Sequence, residues 1–399
     1  MSSNEKVGMK DVEFVADRIH ESNSPVLLLG GGARQSTQQE LDYLSSLGIP
    51  ICLTWSGVAL ASKILNYVGI VGQFGRPVAN RTLHGSDFVL ALGCRLPITV
   101  TGQNIEKLKN KIVLCDIDSS ELILSKKRLS TKTLKIDVSS FVKRLSEITP
   151  KLTGLNLDNW LKTTAHNFEL ENNFLISGIR ETLAESNSIN SHFAFANLTK
   201  DIQPKDYLVI DGGGTALYTG YQAAPFERFA GVAALNAISS MGTAPAQMSG
   251  VLNAKPDSLV IGVIGDGSYV MALNALPNIA SNKNAVLIII SNKGYLAIRH
   301  TQQRFLDSRF DGTWLTPENS LPSIENITIA LGMNYVRYRP PYSSVHEILS
   351  DLNGRKDKAT VIEVETDPAQ PPFWGVKSYL DEKGRLTSLP LFEMSHMGL

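Results

Sequence analysis

Two short segments of the sequence carry residue types suited to metal-assisted phosphate chemistry. Gly265-Asp266-Gly267-Ser268 closes one apolar run and Asn292-Lys293-Gly294-Tyr295 closes the next, with Asn292 following Asp266 by 26 residues. An Asp carboxylate, an Asn side-chain carbonyl and a nearby backbone carbonyl are hard oxygen donors of the kind an octahedral Mg²⁺ takes. Such an ion keeps positions for phosphate oxygens and water. Gly265 and Gly267 let the backbone approach a diphosphate closely, and the Ser268 hydroxyl can donate to it. Gly-Asp-Gly alone is more often only a turn after a strand, so the spacing to the second segment carries the argument.

That spacing calls for a particular scaffold. Two parallel strands joined by one crossover helix bring Asp266 and Asn292 to the same carboxyl edge, where the ligands of α/β sheets bind. Continuous apolar runs predict such strands at Val26 to Leu29, Phe88 to Leu92, Ile112 to Ile117, Tyr207 to Ile210, Leu259 to Ile264, Ala285 to Ile290 and Val361 to Val364. Apolar residues at three- and four-residue spacing predict helices at Gln38 to Leu47, Phe141 to Ile148, Phe193 to Ile202, Ile324 to Leu331 and Val345 to Leu352. The alternation predicts an α/β chain of two doubly wound parallel-sheet domains. The expected divisions are a central domain over 1–150, a linker with its own helix over 151–189, a second domain over 190–367, and a polar tail over 368–399 containing Pro371, Pro372 and Pro390.

The composition narrows the function classes. The 399 residues suit two domains, and 38 Lys+Arg against 38 Asp+Glu leave no excess charge for nucleic acid or an anionic membrane. Cys52, Cys94 and Cys115 lack metal-ligand or redox-pair spacing and read as reduced, mostly buried thiols of a cytoplasmic protein. No apolar run approaches the roughly 18 residues of a membrane span. His84 and His300 also lack metal spacing and read as structural or solvated, although His300 lies close enough to the second segment to meet a substrate.

The order strand, Gly265-Asp266-Gly267-Ser268, helix, strand, Asn292-x-Gly294-Tyr295 resembles the diphosphate-binding motif of thiamine diphosphate enzymes. The likeness extends over almost the whole chain. Ser239-Ser240-Met241-Gly242-Thr243-Ala244-Pro245-Ala246 is similar to the family segment whose bulky apolar residue props the cofactor in its bent conformation, a part that falls to Met241. Gly213-Gly214-Thr215 stands where related enzymes have a small loop touching the diphosphate. Tyr295 to Gln302, Asp367 to Gln370 and Gly384 to Leu391 resemble stretches of acetolactate-synthase-like proteins. So do Pro25 to Arg34, Gly93-Cys94-Arg95, Val100-Thr101-Gly102 and Asp116-Ile117-Asp118 in the first domain. Lys293 departs from the family, which commonly has a second Asn there.

The resemblance implies thiamine diphosphate and Mg²⁺ as cofactors. Asp266, Asn292 and the carbonyl of Gly294 would hold the metal. Gly214, Thr215, Gly265, Gly267 and Ser268 would surround the diphosphate, with Met241, Tyr295 and Leu296 beside it. The implied enzyme decarboxylates a 2-oxo acid, pyruvate foremost, and transfers the acyl group to a carbonyl acceptor. Family members also carry a pyrimidine-binding domain, normally ahead of the central one, whose Glu activates the cofactor. The residues before Pro25 are too few to form it. The expectation is therefore a large subunit whose catalytic Glu comes from a separate partner chain, in a hetero-oligomer such as a heterotetramer, and no catalytic residue is assigned here. The alternative is a noncatalytic regulatory or scaffold paralogue. FAD, bound by the central domain of acetolactate-synthase relatives through two arginines, stays an open reading: Arg95 keeps the first, Thr99 stands at the second, and Gly30-Gly31-Gly32 is not the GxGxxG fingerprint.

Overall fold

Apolar runs covered on both faces form the centre of each of two sheets in the computed structural model of the chain. It describes residues 7–148, 157–185, 189–235, 238–313, 321–339, 344–352 and 358–397. The chain divides into two compact units, Met1–Glu171 with Trp374–Met397, and Asn172–Phe373.

The first unit holds β1 (Pro25–Leu29), β2 (Ile51–Leu53), β3 (Tyr67–Ile70), β4 (Phe88–Leu92), β5 (Ile112–Asp116) and β6 (Lys132–Lys135). Their order is β3-β2-β1-β4-β5-β6, and every pairing is parallel. All residues of β1 and β4 are buried, as central strands between helical layers must be. The second unit holds β7 (Tyr207–Ile210), β8 (Gly231–Ala234), β9 (Val260–Gly265), β10 (Ala285–Ser291), β11 (Asn334–Arg337) and β12 (Thr360–Glu365), again all parallel, in the order β11-β12-β10-β9-β7-β8. The chain runs from β7 outward to β8 and returns on the other side of β7 as β9. The strand order therefore reverses between β7 and β9, the place where open α/β sheets bind ligands beyond their carboxyl ends.

The helix expected in the linker runs over Asp158–Glu185, while 149–156 and 186–188 lie outside the described residues. The C-terminal stretch read as a polar tail from residue 368 is instead folded from Trp374 onward into the first unit. Trp374, Leu391 and Met394 are buried there, Trp374–Gly375 pairs with Ser395–His396, and Arg81 Nη2 donates to the Met394 carbonyl at 3.1 Å. Apolar side chains spaced among prolines are buried there, which composition alone did not reveal.

Cys52, Cys94 and Cys115 are free and buried, and burial pushes each thiol upward from its ordinary value. Among the described residues no helix is long and apolar enough to cross a membrane.

Gly30-Gly31-Gly32 serves the fold rather than a phosphate. The amides of Gly30, Gly32 and Ala33 already donate to the carbonyls of Leu92, Gly93 and Gly30. A Cβ at Gly32 would lie 2.8 Å from Gly93 Cα, so the loop after β1 and the loop after β4 touch backbone to backbone. Arg95 is paired with Glu121 at 3.4 Å. This loop therefore has no amide of Gly30, Gly32 or Ala33 left to offer a pyrophosphate.

Candidate functional site

The carboxyl ends of β7, β9 and β10 bring three loops together in the second unit. Asp266 opens the Asp266–Met271 helix directly after β9 and is 3% exposed. Its Oδ1 accepts the Gly267 amide at 2.7 Å, and its Oδ2 accepts the amides of Asn292 and Gly294, each at 3.0 Å. Burial pushes the carboxyl above its ordinary value, while the amides of Gly294, Gly267 and Asn292 pull the other way. Asp266 thus joins the loop after β9 to the loop after β10 through backbone amides of both.

Asn292 is equally buried at 3%. Its Nδ2 donates to Thr215 Oγ1 at 3.1 Å, which ties in the loop after β7. Its Oδ1 is buried and accepts no hydrogen bond among the described residues. A buried carbonyl oxygen without a donor costs about 1–3 kcal/mol, and a hard cation beside Asp266 would satisfy it. The next residues form a tight turn in which Lys293 (φ 58°) and Gly294 (φ 117°) have left-handed backbones, and the Lys293 side chain is exposed. The Gly294 carbonyl accepts nothing among the described residues. The oxygen set of Asp266, Asn292 and Gly294 therefore fits a hard divalent cation.

The surroundings fit an anion. The Gly214–Ala223 helix begins with no side-chain cap, so its first amides and its dipole are available to a phosphate. A Cβ at Gly214 or Gly265 would meet nothing within 4 Å, leaving open space over both loops. Gly267 has a different reason to be glycine, because a Cβ there would lie 2.6 Å from Tyr295 Cε1. Met241 is 37% exposed and lies across Gly213, whose Cβ would stand 2.8 Å from Met241 Cγ. Leu296 is buried under the start of its helix. Ser268 is buried with its hydroxyl on Asp211, so it offers a ligand lone pairs and no proton.

Asp211 and Arg299 have parts that sequence spacing did not assign. Asp211 follows β7, is fully buried, and accepts the amides of Gly242, Thr243 and Ala244 at 3.1, 2.7 and 3.0 Å. It caps the Ala244–Ala254 helix and holds the Met241 loop; an Asp directly after a strand and before three glycines was the available signal. His300 is half-buried, and burial lowers its pKa.

Comparisons with known proteins agree with this geometry. Residues 12–145 match the family model for the thiamine pyrophosphate enzyme central domain, and residues 212–364 match that for the thiamine pyrophosphate enzyme C-terminal TPP binding domain. The chain is 27% identical to the acetolactate synthase large subunit of Cyanidium caldarium over 312 residues, 76% of this chain and 51% of that protein. It is 25% identical to the chloroplastic acetolactate synthase 2 of Nicotiana tabacum over 79% of this chain and 47% of that one. It is 24% identical to the 3D-(3,5/4)-trihydroxycyclohexane-1,2-dione hydrolase of Bacillus velezensis over 90% of this chain and 60% of that one. The chain thus spans about half the length of the acetolactate synthases that it matches.

Proposed function

The chain belongs to the thiamine pyrophosphate enzyme family, and from that premise we propose that it is the diphosphate-binding subunit of a decarboxylating carboligase. Its substrate is a 2-oxo acid, pyruvate foremost, and its acceptor a carbonyl compound. The observation that carries the reading is the buried Asn292 Oδ1, unpartnered among the described residues, on a residue whose backbone amide the Asp266 carboxylate holds. Bound thiamine diphosphate supplies the electron sink that lets a 2-oxo acid lose CO₂.

The chain's own residues bind and orient. Asp266, Asn292 and the Gly294 carbonyl would hold Mg²⁺. The first amides of the Gly214–Ala223 helix and the open backbone at Gly265 would take the diphosphate, with Met241 bearing on the rest of the cofactor. The catalytic Glu comes, in this proposal, from the pyrimidine-binding domain of a separate chain, giving a hetero-oligomer. Exposed Met241 and Met271, on either side of Gly242 at the site's margin, support a surface that another protein covers. Three free, buried cysteines suit a reducing compartment, and we place the enzyme in the cytoplasm. The hydrolase relative, matched over 90% of this chain, favours a second reading in which the substrate is a dione and the elements of water add across the bond that breaks.

The test is CO₂ release from pyruvate by the chain with and without a pyrimidine-domain partner, omitting Mg²⁺ or thiamine diphosphate in turn. Release that needs both chains and both cofactors is expected. Release by this chain alone would sink the two-chain arrangement, and cofactor-independent release would sink the reading altogether.

A further inference from the structure

We propose that Arg299 is a positioning residue that decides which backbone carbonyl of the Asn292-Lys293-Gly294 turn is offered to the divalent cation. The inference rests on the metal reading above. Arg299 lies on the Leu296–Phe305 helix and is 3% exposed. Its Nη2 donates to the Asn292 carbonyl at 2.9 Å and to the Pro368 carbonyl at 2.7 Å. Its Nη1 donates to the Lys293 carbonyl at 2.9 Å and to the Thr313 carbonyl at 3.0 Å. One rigid, planar guanidinium thus takes up the first two carbonyls of the turn and anchors them to two further segments of the chain.

The consequence for the cation is selective. A carbonyl bonded to a buried guanidinium keeps a second lone pair but is held facing that cation, so in the proposal Asn292 and Lys293 contribute no backbone ligand. Gly294 is left, and its amide is fixed by Asp266 Oδ2 at 3.0 Å. The left-handed backbone at Lys293 and Gly294 lets successive carbonyls face different partners. A Lys at position 299 keeps the charge but loses the fork, and a compact ammonium with three donors cannot hold four carbonyls in one plane.

The experiment uses the full chain with Mn²⁺ as the probe in place of Mg²⁺, together with thiamine diphosphate. Electron paramagnetic resonance measures Mn²⁺ affinity and counts its coordinated waters in wild type, Arg299→Lys and Arg299→Met, after circular dichroism has shown each variant folded. The variants are expected to bind Mn²⁺ about 10- to 100-fold more weakly, the range for losing an outer support of a metal ligand, and to gain a coordinated water where the carbonyl was. Folded variants with wild-type affinity and water count would overturn the proposal. If neither variant folds, wild-type protein labelled with ¹³C at glycine or at lysine carbonyls decides. Hyperfine coupling to Mn²⁺ from the glycine label alone is expected, and coupling from the lysine label, or from neither, would overturn it. Failure of wild type to bind Mn²⁺ with thiamine diphosphate at all would remove the functional reading and this proposal with it.

Discussion

The backbone amide of Asn292 donates to Asp266 Oδ2 at 3.0 Å, while the side-chain Oδ1 of the same Asn292 is buried with no donor. The protein therefore holds the ends of β9 and β10 together by itself and leaves one oxygen for a cation to satisfy. Ligand binding should show as stabilisation. Mg²⁺ and thiamine diphosphate at about 100 times the dissociation constant add about 2.7 kcal/mol to the unfolding free energy. Thermal denaturation with and without both should show that gain in wild type and little of it in Asn292→Ala.

Asp266 makes binding pH-dependent. Burial raises its carboxyl pKa above the ordinary 3.8, so the proton competes with the cation at a less acidic pH than for an exposed Asp. Calorimetric titrations of Mg²⁺ with thiamine diphosphate should weaken as pH falls through that raised value. In the metal-free protein the sign is opposite. A raised folded pKa contributes stability below the unfolded value, and this is lost as pH rises through the folded one, the cost that the cation offsets.

Lys293 holds a left-handed backbone at φ 58°, which costs a non-glycine residue on the order of 1 kcal/mol. Its side chain is exposed. Lys293→Asn, a residue that tolerates this region, should stabilise the metal-free chain by about 0.5–1 kcal/mol in urea denaturation, with the slope unchanged.

His84 in the first unit is buried, neither ring nitrogen has a hydrogen-bond partner among the described residues, and its ring lies 5.6 Å from that of Phe392. Burial, with help from Lys107 and Lys111, lowers its pKa to about 4. The unfolded chain then binds the extra proton between about pH 6.5 and 4, so stability falls as pH falls across that window, by about 3 kcal/mol when complete. Comparing wild type with His84→Leu by denaturation at pH 7 and pH 5 should show the loss in wild type and a flatter profile in the variant.

The strands that the sequence announced were those covered on both faces, such as Phe88–Leu92 and Ala285–Ser291, whose apolar runs are continuous. Edge strands escaped notice. Lys132–Lys135 alternates, with its lysines guarding an exposed edge, and Gly231–Ala234 is built of small, half-buried residues. Asp266 and Asn292 were legible because a strand, a turn and a crossover helix fix their separation. Asp211 was not, because its meaning lies in contacts with amides 31 to 33 residues onward, which spacing does not encode. Arg299 lay within the Tyr295 to Gln302 stretch that resembles acetolactate-synthase-like proteins, but its hold on four carbonyls is a matter of three-dimensional contacts.

In the proposed function Asp266 anchors a divalent cation that seats thiamine diphosphate, and calorimetry of the full chain against Asp266→Ala tests this at the site itself. Wild type should bind thiamine diphosphate only when Mg²⁺ is present, and the variant should show at least about a 100-fold loss of that binding. Magnesium-dependent binding of unchanged affinity in a folded Asp266→Ala protein would rule out Asp266 as the anchor.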